Sequence, residues 1–136
     1  MMPVVIDASI AAAWCFPDEE PALGADALAL DIADEAMIVP GVFWYEIRNA
    51  LVRAERRGRI DGAASGSFLA QLGELQTEVD SDHDEGRTLA LARRHALTFY
   101  DAAYLETAMR REARLATLDS ALATAAALEG VLAPVT

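Results

Sequence analysis

Apolar positions along the chain fall into two patterns: short unbroken runs, and longer stretches spaced three and four apart. The first marks buried strands and the second amphipathic helices. Pro3 to Ile6 is an unbroken run cut off by Asp7 and predicts a strand buried on both faces. Ile10 to Phe16 reads as a short helix ended by Pro17, and Pro21 opens another running to about Glu35. Met37 to Val39 predicts a second strand, stopped by Pro40 and Gly41. Val42 to Arg57 is helical with Gly58 past its end, and a further helix spans Asp61 to Leu75. Thr77 to Val79 is a short strand, after which Ser81 and Asp84 form a capping box for a helix to about Ala96. Asp101 to Ala113 is helical, Leu115 to Leu118 a strand, Ser120 to Glu129 helical, and Val131 to Val135 a last strand. Strands separated by helices imply a mostly parallel sheet covered on both faces, an α/β fold.

The 136 residues make one domain, 1–136. Hydrophobic residues are 54%, but 29 of them are alanine, which favours helix over a thick core. The longest apolar run, Ile10 to Phe16, is far short of a membrane span, and no basic segment precedes the first apolar stretch. A cytoplasmic protein is expected, and the lone Cys15 suits a reducing compartment, reading as a small buried hydrophobe beside Trp14.

Charge narrows the function. The net charge is −11 and every basic residue is arginine. A protein that grips nucleic acid through bulk charge is basic, because it works by releasing phosphate counterions, so that class is excluded. Arg48, Arg53, Arg56, Arg57 and Arg59 crowd one stretch, as a solvated helix face or as a local RNA contact.

Sites in open parallel sheets form at the carboxyl ends of strands. Asp7 ends the first strand and Asp119 the strand Leu115 to Leu118, although each also precedes a helix it could cap. Asp101 begins its own helix, with the same simple explanation, but shares a face with Leu105, Ala108 and Met109. Glu46 lies inside a helix, where capping cannot account for it. Helical projection puts Phe43, Trp44, Ile47, Ala50, Leu51 and Ala54 on one arc, with Glu46 at its edge near Asn49, Arg53 and Arg57. It is either an ion-pair partner of Arg53 or Arg57 or a ligand pointing into a cleft. Four converging carboxylates cannot all ionise without compensation, and a hard divalent cation supplies it. Two-metal centres of this kind activate water for phosphodiester cleavage.

Ile6-Asp7-Ala8-Ser9, Glu46 with Asn49 in the helix after Pro40, Tyr100-Asp101-Ala102-Ala103-Tyr104, and Leu115-Ala116-Thr117-Leu118-Asp119 together resemble the four motifs of PIN domains, in order and over nearly the whole chain. The VapC toxin branch fits best. The resemblance implies a three-layer fold and an endoribonuclease dependent on magnesium or manganese. It implies Asp7, Glu46, Asp101 and Asp119 as the metal-binding acids, with Ser9 and Thr117 supporting the first and last aspartates. It further implies a homodimer neutralised by a VapB-type antitoxin.

Other patterns fail. Asp80, Asp82 and Asp84 alternate like an EF-hand, but Glu85 occupies the glycine position and Leu91 that of the closing acid, so a solvated capping loop is expected. His83 and His95 are too far apart for a zinc site, and His95 suits a helix C-terminus. A phosphotransfer receiver, as a family resemblance, would require a lysine, and the chain has none; a dehalogenase-like phosphatase would want Asp-x-Asp at the first strand, where Ser9 takes the second position, and would normally need a lysine as well. The rival from another class is a non-catalytic PIN-like interaction module, favoured by the acidic charge and by the outward-facing Tyr45 and Val52.

Overall fold

The computed structural model describes residues 2–16 and 36–134. The helix expected from Pro21 to Glu35 lies outside them. Four parallel strands form the sheet: β1 (Val4–Ile6), β2 (Met37–Pro40), β3 (Thr77–Asp80) and β4 (Arg114–Ala116), in the order β3-β2-β1-β4. Between and after them run α1 (Ala8–Cys15), α2 (Val42–Arg56), α3 (Gly62–Gly73), α4 (Glu85–His95), α5 (Phe99–Arg110) and α6 (Ser120–Leu128).

The apolar runs dictate the order. Val4, Val5 and Ile6 are fully buried because β1 is central, paired with β2 through Val4–Met37 and with β4 through Val5–Leu115. Strand β3 lies at the edge, and its Thr77, Glu78 and Val79 are exposed while Asp80 is buried. Helix α5 lies against β1, β2 and β4, with α4 and α6 packed on it, and α2 packs on β2 and α1. The result is the expected three-layer α/β arrangement, with all four strands parallel.

Several expectations shift. The stretch from Val131 makes one parallel bridge, Leu115 with Leu132, rather than a strand; Leu115 donates to Val131 and accepts from Ala133. Asp84, not Ser81, caps α4, its carboxylate accepting from the Arg87 N–H. Asp80 is not part of a solvated loop. It is 3% exposed because Arg110 grips both its oxygens and Arg111 adds a third contact, while Arg110 also holds the fully buried Glu106. His95 adds to its place at a helix end a 2.7 Å contact with Glu129, and His83 meets the Thr107 hydroxyl. Cys15 is half-buried rather than buried. Among the described residues no helix is long and apolar enough to cross a membrane.

Candidate active site

In a parallel sheet the strand ends that share an edge gather there, and the natural crevice is where successive connections diverge. Here the chain runs from β1 outward to β2 and β3, then returns to the other side of β1 as β4. The divergence lies between β1 and β4. The residues directly beyond those two strands are Asp7, and Thr117 with Asp119.

Asp7 is 5% exposed, and both its oxygens are used. Oδ1 accepts from the Ser9 N–H at 3.1 Å, the Ile10 N–H at 3.2 Å and the Ser9 hydroxyl at 2.5 Å, which caps α1; Oδ2 accepts from the Thr117 hydroxyl. The two hydroxyls then reach across the edge. Ser9 Oγ accepts from the Leu118 N–H at 2.9 Å, and Thr117 Oγ1 from the Asp119 N–H at 3.0 Å. Ser9 and Thr117 therefore tie the end of β1 to the loop after β4. Both donate to Asp7, and the Asp119 carboxylate instead receives the Leu122 N–H at 2.9 Å, capping α6.

Asp101 is not a cap. Helix α5 starts at Phe99, capped by the Thr98 hydroxyl, which accepts from the Asp101 N–H at 3.1 Å. Its carboxylate sits half-buried in the first turn without capping duty. Glu46 pairs with neither Arg53 nor Arg57. Its Oε1 accepts from the hydroxyl of Tyr104, a side chain 1% exposed on α5, at 2.5 Å. Tyr104 closes the Tyr100–Tyr104 motif, where the resemblance assigns it no role. The available signal was its spacing: three residues after Asp101, it lies on the same face of the helix.

These four acids act on one another. Burial pushes the Asp7 carboxyl up, against the pull of Ser9, Thr117 and Ile10, and the charge of Asp101 pushes it further. Burial raises Glu46 as well, against the Tyr104 hydrogen bond, with Asp101 and Asp7 adding to the rise. Asp101 is raised by burial and then by Asp119. No basic side chain figures among the groups that shift any of the three. Asp7 and Glu46 each feel the charge of Asp101, Glu46 also feels Asp7, and Asp101 feels Asp119. Among the described residues, no three acidic, histidine or cysteine side chains already stand as a finished ligand set for one ion. The donors nonetheless fit a hard divalent cation, being all oxygen, with no basic side chain of the described residues among the groups that shift them.

Glu46 and Asn49 line a cleft of about 290 Å³ with Val42, Tyr45 and Tyr100. Arg53 and Arg57 do not line it. They are exposed, seven and eleven residues along α2, or roughly 10 and 16 Å of axial rise beyond Glu46. Trp44 also departs from the projected apolar arc: it is 52% exposed and stacked under the Arg48 guanidinium, 3.8 Å from the ring centre. Phe43, Ile47, Leu51 and Ala54 do face the core.

The model of the PIN domain family matches residues 4–128. The chain belongs to the PIN domain family. This PIN domain is 32% identical over 133 residues to Ribonuclease VapC3 of Pyrobaculum aerophilum, covering 90% of this chain and 93% of that protein. Its fold is similar to the crystal structure of PAE2754 from Pyrobaculum aerophilum, with TM-score 0.71 and 25% identity over 91% of this chain and 84% of that one. The fold is also similar to that of a chain in a toxin-antitoxin complex from Klebsiella pneumoniae, with TM-score 0.58 and 20% identity, covering 86% of this chain and 87% of the other.

Proposed function

We propose that this PIN domain, acting as a single unit over 1–136, is a metal-dependent endoribonuclease and the toxin of a toxin-antitoxin pair. The observation that carries the reading is the carboxylate set around the sheet's divergence point, in which Asp7, Glu46 and Asp101 are raised by burial and by acidic neighbours, with no basic side chain of the described residues among the groups that shift them. Its kinship with a ribonuclease named VapC3 supports the same reading.

Asp7, Glu46, Asp101 and Asp119 would hold magnesium or manganese, which when bound supplies an activated water and charge stabilisation for the leaving oxygen. The chain's own residues set the acids in place. Ser9 and Thr117 fix the Asp7 carboxylate from two sides, and Thr117 orders the backbone that presents Asp119. Tyr104 fixes Glu46, whose neighbour on the cleft wall, Asn49, offers an amide to the substrate. Arg53 and Arg57 belong to this reading as contacts for RNA beyond the cut. A homodimer, a VapB-type antitoxin partner and a cytoplasmic setting complete it.

One observation favours a second reading, a PIN module that binds a partner without cutting: Tyr45 and Val52 are 70% and 41% exposed on α2. Purified chain incubated with total RNA, with magnesium or manganese and then with EDTA, separates the two. Cleavage ends that map to defined sites, vanish in EDTA and vanish in Asp119→Asn are expected. Intact RNA under every ion condition would reject the nuclease.

A further inference from the structure

Among the described residues four aromatic side chains are exposed: Trp44, Tyr45, Phe99 and Tyr100. All four lie in the first turns of α2 and α5, the two helices that carry Glu46 and Asp101. Trp44 is engaged by Arg48 and opens onto a different cleft, against α3. The other three are 70%, 45% and 60% exposed in turn, and Tyr45 and Tyr100 stand next in sequence to Glu46 and Asp101. Tyr45 and Tyr100 line the cleft that holds Glu46. Tyr100 and Val42 also wall a second cleft of about 450 Å³, where Phe99 and His83 lie. The two clefts thus share a wall at Tyr100, the residue next to Asp101.

No arginine lines either cleft, and the chain carries −11 overall. A polyanion approaching the acids is repelled by the protein's own charge, so within these two clefts, away from Arg53 and Arg57, the chain's own side chains can hold it only through uncharged contacts. Aromatic faces give one, because every nucleobase has a π-face and stacks without regard to sequence. Those faces are accessible only where bases are unpaired. We propose that Tyr45, Tyr100 and Phe99 form a base-stacking platform that captures unpaired nucleotides of single-stranded RNA beside the carboxylate cluster. This rests on the nuclease reading above and adds to it the residues that would hold the unpaired bases.

The test pairs binding with cleavage for the full chain. Binding is measured in EDTA with a single-stranded RNA oligomer, the same oligomer with abasic positions, and its duplex. Cleavage of the single strand is followed in parallel with magnesium. The single strand should bind best and the abasic oligomer at least about tenfold more weakly. Tyr100→Ala and Tyr45→Ala should each lose about tenfold in affinity, and Tyr100→Phe, which keeps the ring, should bind like the wild type. In the cleavage arm Tyr100→Ala should raise KM while kcat holds. Thermal unfolding confirms that each variant folds. Equal binding of normal and abasic strands by a wild type that still cuts RNA would overturn the platform and leave the nuclease standing. Alanine variants that bind RNA like the wild type would likewise overturn it and assign the rings to a protein surface. Ring-dependent binding without cleavage in any ion supports the platform and removes the nuclease instead.

Discussion

Replacing Tyr104 by phenylalanine removes one oxygen from a side chain that is 1% exposed and leaves the ring to fill its place. Were Tyr104 only a core residue, the change would be close to neutral. Its hydroxyl, however, donates to Glu46 Oε1 at 2.5 Å, and that bond opposes the burial and repulsion that push the Glu46 carboxyl up. A hydrogen bond to a charged group contributes about 1.5–3 kcal/mol, and the half-buried position of Glu46 puts this one near the lower end. Losing that bond from the ionised form favours the protonated one, so Tyr104→Phe should raise the Glu46 titration midpoint in carboxyl NMR. It should also move the acidic limb of the pH–rate profile upward equally, with turnover recovering at higher pH. Stability should follow the same sign. Near neutral pH, with Glu46 charged, Tm should fall by roughly 5 °C. As the pH drops through the Glu46 pKa the bond becomes one between neutral groups, and the deficit should shrink. An unmoved Glu46 midpoint, or a Tm deficit constant from acid to neutral pH, would refute the reasoning.

Asp101→Asn should abolish metal-dependent cleavage and keep or raise Tm. The raised carboxyls of Asp7, Glu46 and Asp101 favour the folded chain below their ordinary values of 3.8 and 4.5, and that contribution is lost as pH rises through the raised ones. Any gain from the asparagine should hence be present at pH 7 and vanish near pH 3.8 in calorimetry. Arg110→Met should cost about 3 kcal/mol in urea unfolding, because it strips Asp80 and the fully buried Glu106 of a shared cation while leaving Arg111 on Asp80. Arg110 first, then Arg111, hold Asp80 well below the usual carboxylate range. Its stabilising contribution is thus present above about pH 4 and lost on acidification, and the deficit of the variant should narrow in acid. Arg53→Glu with Arg57→Glu, in an Asp119→Asn background, should bind RNA with a shallower salt dependence than that background alone. Equal slopes would move both arginines out of the RNA path.

The linear pattern determined the elements and their kind. Unbroken apolar runs at Val4 to Ile6 and Met37 to Val39 have no polar face to show to water, so only central parallel strands could take them. Strand followed by helix followed by strand then required the acids after the runs to share one edge, which is why Asp7 and Asp119 were legible as a pair. Glu46 was legible because a carboxylate inside a helix and beside its apolar face has no local explanation. What the sequence left open depended on partners distant in the chain. Tyr104 meets Glu46 across 58 residues and Thr117 meets Asp7 across 110, so neither contact has any local signature. The same holds for Asp80, which reads locally as a solvated turn acid and is buried because Arg110 and Arg111 arrive from α5. Helical projection assigned Trp44 to the core because it knows the angle around the axis and not which neighbours cover it, and the Arg48 guanidinium covers it instead. Periodicity fixed which faces seek burial. Only the tertiary structure could decide which charges lie near each other, because Coulomb interaction depends on distance in space and not along the chain.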